Sequence, residues 1–487
     1  MGTAASLSST SSALSSVSSE PALPAAPALP AIAAARAPLK SLNEALAELL
    51  AHAQGSSGTE QVSTFDADGR VLAQDVISSL QVPPHDNSSM DGYALRCADV
   101  TQAGVQLPQS QRIAAGAVGQ ALLAGSVARI FTGAPIPLGA DAVVMQEDCK
   151  PLEGGAAGAG GAAAGVLVSI NARPEPGQWI RRAGEDVARG AVVLSKGERL
   201  TPASLGLAAS IGMDRLLVAR QPRVALFSTG DELVMPGAVA PQDMKPGAIY
   251  NSNRFFLRAL LLRLGCTVTD YGIVPDKLDA TLQALRAASQ AHDLILTSGG
   301  VSVGEEDHIK PAVQALGELN LWQIAIKPGK PFAYGKIRKV AGSGPADDIG
   351  EAGKAGEIGS AGKVGQADCP AETGTVHFMG LPGNPVSSFI TFMALVRPFL
   401  LRLQGVADIT PKSIAMPAHF TWARADKRRE FLRVRRNAAG GLDLFPNQSS
   451  GVLTSAVWGD GVVDNPPGRT IAPGDVVQFI AFADLMN

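Results

Sequence analysis

Between Pro222 and Leu316 the chain alternates short apolar runs with segments whose apolar residues recur at helical spacing. No other feature restricts the fold as strongly. Val224–Ser228 follows Pro222 as a buried-strand pattern. In Asn251–Leu264 the residues Phe256, Leu257, Leu260, Leu261 and Leu264 form one helical face, which Gly265 ends. Thr267–Val274 reads as a strand, and Asp276–Ala288 as a helix with Leu278, Leu282 and Leu285 aligned. Asp293–Thr297 is a further strand running into Gly299 and Gly300, and Glu306–Leu316 a helix that takes Pro311 in its first turn. This alternation predicts an α/β unit, a mostly parallel doubly wound sheet whose last helix is Val386–Leu403.

The flanks read differently. Residues 41–219 begin with one short helix, capped by Ser41 and carrying Leu42, Ala45, Leu46, Leu49 and Leu50. Short strand-like segments follow, among them Val71–Val76, Ala142–Gln146 and Val166–Ile170, separated by many Gly and Pro. Beyond 412, Glu430–Val434, Leu442–Phe445 and Val476–Ile480 predict a small β-barrel or sandwich. Three stretches are compositionally biased: the Ser/Ala/Pro-rich first 40 residues, the Gly/Ala run 153–165, and 341–374. None has an apolar period with which to offset its ordering entropy, so they are expected to be a disordered tail and two inserted loops. The organisation expected is a tail over 1–40, a β-rich region of two subdomains over 41–219, an α/β domain over 220–404 and a β-barrel-like domain over 405–487.

A chain of 487 residues exceeds one ordinary domain, and 46% hydrophobic residues supply several cores. A net charge of -3 excludes the strongly basic footprint of a nucleic-acid binder. Cys97, Cys149, Cys266 and Cys369 are dispersed without a CxxC pair, which argues against a zinc site or disulfide framework and for a reducing compartment. No uninterrupted apolar run reaches the roughly 18 residues of a membrane span. The best candidate, Phe389–Leu403, is interrupted by Arg397 and Pro398. The first 40 residues lack the compact apolar stretch of a secretory signal and contain only one arginine, Arg36. A soluble cytoplasmic protein, with neither nucleic acid nor membrane as partner, is expected.

In a doubly wound sheet, ligands bind beyond the carboxyl ends of the strands. That rule selects three loops. Ser228–Leu233 contains Asp231 and Glu232. Ser298–Asp307 combines Gly299, Gly300 and Gly304 with the hydroxyls of Ser298 and Ser302 and the acids Glu305, Glu306 and Asp307. Leu381–Pro385 is the rigid turn Leu-Pro-Gly-Asn-Pro before a helix, with Asn384 as a candidate N-cap. In the second loop the glycines allow backbone N–H groups close to a phosphate, and the helix that follows presents its positive end. Carboxylates beside such a cradle point to Mg²⁺, which prefers one or two carboxylates together with phosphate oxygens. Lys327 and Lys330, held by Pro-Gly, can neutralise an anion. The N-terminal half adds Ser88–Ala94 with Asp91, Arg129–Ala134 with Thr132, and Arg182–Asp186.

Taken in order, SSMDGYA, RIFTGAPIPLGADAVV, RRAGEDV, STGDEL, SGGVSVGEEDH, AIKPGKPFAYG and LPGNPVSS resemble the MoeA family, to which the E domain of gephyrin is also similar. The resemblance spans about residues 41 to 485. It implies an elongated homodimer, a central α/β molybdopterin-binding domain, and a Mg²⁺-dependent reaction in which adenylylated molybdopterin and molybdate yield molybdenum cofactor and AMP. By motif it carries catalytic roles to Asp91, Thr132, Asp186, Glu232, Asp276, Asp307, Lys327 and Lys330. It places Glu232, Asp276 and Asp307 at the metal. Substrate binding falls to Ser298, Gly299, Gly300, Ser302, Gly304, Pro382, Asn384, Pro385 and Ser450. The implied active site is a cleft between the central domain of one subunit and the N-terminal region of the other. A molybdopterin adenylyltransferase and molybdoenzyme maturation proteins are the implied further partners. One departure is Gln323, which stands where many relatives carry a basic residue. It can donate a hydrogen bond but supplies no charge.

Three alternatives stand beside this reading: an adenylyltransferase, a scaffold protein of another class, and a nucleotide-binding hydrolase of a related α/β type, which would not need the SSMDGYA and LPGNP segments together. An adenylyltransferase acting one step earlier would resemble only the central domain. A scaffold protein of the gephyrin type would not need the acid and lysine motifs.

Overall fold

The computed structural model describes residues 39–53, 58–152, 166–300, 308–339 and 374–486. The Ser/Ala/Pro-rich start and the two compositionally biased inserts therefore fall almost wholly outside the described residues, as do Ser302, Gly304, Glu305, Glu306 and Asp307.

The central sheet has six strands: β1 Arg223–Thr229, β2 Thr267–Val274, β3 Leu294–Ser298, β4 Gly317–Gln323, β5 Pro331–Arg338 and β6 Thr375–Leu381, in the order β2-β1-β3-β6-β5-β4. The first four in that order are parallel, and β5 and β4 add an antiparallel edge. Helix α1 Asn253–Arg263 joins β1 to β2, α2 Leu278–Ala291 joins β2 to β3, and α3 Ile309–Leu316 follows β3. Strands buried on both faces read as continuous apolar runs rather than alternating ones. The period-2 geometry divides their side chains between two cores. Val224, Leu226, Leu294 and Leu296 join Leu257, Leu260 and Leu261 of α1 on one side. Ala225, Phe227 and Ile295 join Leu285 of α2 and Ile309 and Val313 of α3 on the other. The expectation of an α/β unit with a mostly parallel sheet is met. β4, β5 and β6 carry no signal that the alternation of strand and helix exposes.

The chain crosses from β1 to its neighbour β2 on one side, then returns to β3 on the other. The strand order therefore reverses at the carboxyl ends of β1 and β3, where such sheets open a crevice.

The last helix, α4, runs over Pro385–Leu403 with a π-helical turn at Phe392–Val396. Pro398 does not end it. A proline ring crowds the carbonyl four residues earlier, here Ala394, and the widened turn relieves that contact. Arg397 donates to the Ile409 and Asp484 carbonyls instead of reaching solvent. The helix is long and apolar enough to cross a membrane, but 89% of its most apolar window is buried inside the protein, as in a core helix.

Leu42–His52 forms the helix foreseen at the start of the N-terminal region, with a full capping box between Ser41 and Glu44. Its Leu42, Ala45 and Leu49 pack into the core of the central domain with Phe389, Met393 and Ile480. The rest of the N-terminal region has two parts. Thr59–Ser63 pairs with Arg215–Ala219, so strands from its two ends meet, and a six-stranded sheet including Gly92–Leu95 and Val127–Ile130 lies between them in sequence. The C-terminal strands Arg429–Arg436, Gly461–Asn465, Val476–Ala481 and Ile414–Pro417 are joined in that order, and Leu442–Leu444 pairs with the first. A bridge from Ala418 to Leu442 brings the sheet back on itself around Leu432, Val434, Val463 and Phe479. The central domain lends this sheet Ile326–Lys327, paired with Arg429 and Glu430.

Candidate functional site

Loops after four parallel strands enclose a cavity of about 560 Å³ at the point where the strand order reverses. Thr229, Gly230 and Glu232 come from the end of β1, and Asp276 from just past β2. Ser298, Gly299 and Gly300 come from the end of β3, and Pro382, Asn384 and Pro385 from beyond β6. Eight of the sequence-predicted site residues thus meet in one place: Glu232, Asp276, Ser298, Gly299, Gly300, Pro382, Asn384 and Pro385.

Glycines shape the rim. Gly230 has φ +137°, a backbone conformation that side-chain-bearing residues rarely adopt, and lies against the Glu232 carboxylate. Gly300 has φ +66°, and its Cβ would meet Ile309 at 2.6 Å, so only glycine fits where the loop passes α3. Among the loop's described residues, one N–H group is nevertheless not open to a ligand. The Gly299 N–H donates to the Leu381 carbonyl at 3.1 Å, which ties this loop to the one after β6. Asn384 does occupy the N-cap position of α4, but its side chain makes no capping hydrogen bond. Ser450 reaches the same helix, its carbonyl accepting from Val386 N–H at 2.9 Å.

The cavity is under-satisfied. Among the described residues, Thr229 Oγ1, Asn251 Nδ2 and Asn253 Oδ1 are buried without a hydrogen-bond partner, and all three residues line it; Ser228 Oγ, one residue before Thr229, is orphaned as well. Leaving such a group unpaired costs about 1–3 kcal/mol. A cluster of them marks a surface whose partners lie beyond the described residues, as at a site that takes a polar ligand. Glu232 and Asp276 also have no ion pair or hydrogen bond to their side chains among the described residues.

The two lysines part company. Lys327 Nζ is 2.9 Å from Glu430 and 3.4 Å from Asp426, and lies over the Trp422 ring. Glu430 is almost fully buried and also accepts from Trp422 Nε1 at 2.7 Å. Asp426 is held well below the usual carboxylate range, chiefly by its hydrogen bonds from the Arg428 side chain. Lys330 has no carboxylate partner among the described residues and directly precedes Pro331, a residue of the cavity wall. Gln323 pairs in register with Pro331 on the neighbouring strand.

Asp91, Thr132 and Asp186 do not line this cavity. Asp91 accepts from both the backbone N–H of Thr132 at 2.8 Å and its hydroxyl at 2.7 Å. These bonds lower its pKa, with the Arg129 charge adding a smaller effect. Asp186 is exposed, and its backbone N–H donates to the Val82 carbonyl.

Sequence reasoning missed Asn253 and Asn251 in the cavity and Glu430 and Asp426 beside Lys327, and had Thr229 only as part of the Ser228–Leu233 loop. The polar run Asn251-Ser252-Asn253 ahead of an apolar helix was the available signal for the first two. Nothing in sequence connects Glu430 to Lys327, which are 103 residues apart.

Comparison with known proteins agrees with this geometry. Residues 40–212 match the MoeA N-terminal region (domain I and II), residues 225–402 the probable molybdopterin binding domain, and residues 415–482 the MoeA C-terminal region (domain IV). The molybdopterin molybdenumtransferase of Haemophilus influenzae is 38% identical over 381 residues, covering 78% of this chain and 80% of its own. Its counterpart in Nostoc sp. is 30% identical over 423 residues, with 85% and 86% covered. The crystal structure of the molybdopterin biosynthesis moeA protein from Pyrococcus horikoshii OT3 superposes with a TM-score of 0.70 at 26% identity, over 91% of this chain and 100% of that one.

Proposed function

The chain belongs to the MoeA family, and from that premise we propose that it is a molybdopterin molybdenumtransferase, inserting molybdate into adenylylated molybdopterin with release of AMP. The observation that carries this reading is the cavity at the sheet's switch point, lined by two carboxylates without a partner among the described residues and by glycine and hydroxyl loops. An adenylyltransferase would require only the central domain, whereas the matches extend over both flanking regions.

The chain's own groups divide the work. Ser298 and Thr229 offer hydroxyls to phosphoryl oxygens of the substrate, and the Lys330 ammonium offers charge to an oxyanion at the Pro331 wall. Asn384, free of any capping bond, and the rigid prolines on either side of it shape the opposite wall. No group of three His, Cys, Asp or Glu that could hold a metal occurs among the described residues. Mg²⁺ needs no such cage, because it binds through one or two carboxylates plus substrate phosphates. Glu232 and Asp276, which line one cavity and have no side-chain partner among the described residues, fit that requirement, with Asp307 the third acid of the same motif set. Mg²⁺ held there would neutralise charge on the phosphoryl group. The dithiolene sulfurs that receive molybdenum belong to the substrate, so no cysteine is needed as a ligand.

The reading extends to a cytoplasmic homodimer. Its support is that Asp91, Thr132 and Asp186 lie outside their own chain's cavity, so a second copy is required if they act there. Incubating purified protein with adenylylated molybdopterin, molybdate and Mg²⁺ tests the function. AMP release that depends on molybdate is the expected result. Formation of adenylylated product from ATP and free molybdopterin, without that release, would make the protein an adenylyltransferase instead.

A further inference from the structure

We propose that Asn253 is a positioning residue that fixes Ser298 as a hydrogen-bond donor toward an acceptor-rich ligand; this rests on the reading of the cavity as the site of a phosphorylated substrate. Asn253 opens α1 and is 8% exposed. Its Nδ2 donates to the Gly383 carbonyl at 2.7 Å and to Ser298 Oγ at 2.7 Å. One side-chain amide therefore joins the start of α1, the end of β3 and the loop after β6.

The direction of both bonds follows from the chemistry of the partners. A peptide carbonyl can only accept, so the amide nitrogen must face Gly383, and the flipped amide would set two oxygens against each other. With the nitrogen fixed there, its second N–H points at Ser298 Oγ, which must accept. A serine hydroxyl has one proton. That proton cannot be spent on Asn253, and Ser298 Oγ makes no other hydrogen bond among the described residues. Ser298 is 4% exposed and lines the cavity. Its proton is left for the ligand, and accepting from Asn253 polarises the O–H and strengthens it as a donor.

Two neighbouring facts raise the importance of this one donor. The Gly299 N–H is already committed to Leu381, which removes one backbone donor from the ligand's reach. Thr229 Oγ1, unpartnered, lies about 3.1 Å from where a Gly300 Cβ would stand, so a second free hydroxyl borders the same loop. Together they describe a hydroxyl pair facing phosphoryl oxygens, with Asn253 setting the polarity of one.

The test is a double-mutant cycle on the full chain, measuring Kd for adenylylated molybdopterin by calorimetry beside kcat, KM and the melting temperature. In Asn253→Asp the near-isosteric carboxylate accepts the Ser298 proton and turns it away from the cavity. The variant also loses the bond to the Gly383 carbonyl, a cost that the melting temperature reads and that the Asn253→Ala cycle carries without the added charge. Asn253→Asp and Ser298→Ala are each expected to weaken binding by about tenfold or more, the range of a hydrogen bond to a charged group. The double variant is expected to bind within about twofold of the weaker single one, because both remove the same donor. Losses that add in full would mean that Asn253 acts other than through Ser298, and wild-type affinity in Asn253→Asp would overturn the assignment outright. If Asn253→Asp fails to fold, the cycle with Asn253→Ala, which frees the Ser298 hydroxyl to rotate, applies the same criterion. Absence of binding by the wild-type protein would remove the reading of the cavity itself, whereas wild-type binding with an unaffected Asn253 variant removes only the role of Asn253.

Discussion

The central cavity and the Asp91 loop both carry acids, but they treat them oppositely. In the cavity, the Glu232 and Asp276 carboxylates have no partners among the described residues, and buried polar atoms of the lining residues Thr229, Asn251 and Asn253 are orphaned. Around Asp91 the donors are in place: Thr132 supplies two, and Arg129 is itself held by the Gly92 carbonyl and Gln146. The first region bears the cost of unpaired polar groups and is completed by what binds. In the second, one carboxylate oxygen of Asp91 already takes both Thr132 donors in the free protein. The contrast separates residues that contact substrate from residues that hold a shape, and substitutions should treat the two regions differently.

The largest effect is expected in the unsatisfied region. Glu232→Gln or Asp276→Asn should reduce molybdate-dependent AMP release by roughly 10²-fold, since charge stabilisation worth several kcal/mol is lost. Neither should lower the melting temperature, because neither carboxylate holds the fold. A drop in melting temperature with activity preserved would show these acids to be structural and would break the comparison.

Next come the two lysines of the Lys-Pro-Gly-Lys-Pro turn, which repeat the contrast within four residues. Lys330→Ala removes a lysine that has no carboxylate partner among the described residues and directly precedes the cavity residue Pro331. It should raise KM or Kd by about tenfold, with little change in stability. Lys327→Ala leaves Glu430, 1% exposed, without its cation. Trp422 and Asn465 still donate to that carboxylate, so the cost should be about 2–3 kcal/mol rather than the full value for a broken buried pair. Thermal unfolding of both variants checks this. Equal stability losses would mean that the lysines are not divided in this way.

A smaller effect distinguishes the Asp91 region. Thr132→Val removes the hydroxyl that donates to Asp91 and should move its titration up toward the ordinary carboxylate range, as read by carboxyl NMR. Because the folded pKa is depressed, the stabilisation is present above the unfolded value and lost as pH falls through the lowered one. The stability difference between wild type and variant should therefore shrink on acidification. If Asp91 acts in turnover, the acid limb of the rate profile should shift to higher pH by the same amount.

What could be read from sequence follows from how locally each feature is encoded. The strands and helices from Pro222 to Leu316 are written in contiguous apolar periods, and the Ser41 cap in four adjacent residues, so both were legible. The site loops were legible because the switch-point rule converts strand ends into candidate ligand contacts. β4 to β6 were not, because β4 and β5 form an antiparallel edge outside the βα rhythm and the insert after residue 339 separates β5 from β6. Nor was the fate of Lys327, which depends on Glu430 arriving from a different domain. The commitment of the Gly299 N–H to Leu381 is a tertiary fact of the same kind.

The smallest expected effect is also the sharpest separation of side chain from backbone. Gly383 sits in the Leu-Pro-Gly-Asn-Pro loop, in the cavity wall, and its carbonyl accepts from Asn253. Unlike Gly299 and Gly300, it has no positive φ, and a Cβ added there meets nothing within 4 Å. Gly383→Ala keeps the carbonyl and should change stability by less than about 0.5 kcal/mol, as for an unconstrained surface position. Turnover should stay within about twofold. Gly299→Ala, whose Cβ would lie 2.8 Å from the Thr229 carbonyl at φ +97°, should lose both stability and activity. If Gly383→Ala were the more damaging of the two, the ligand would have to pack against the Gly383 Cα, and the loop after β6 would belong with the contacting residues rather than with those that hold the cavity's shape.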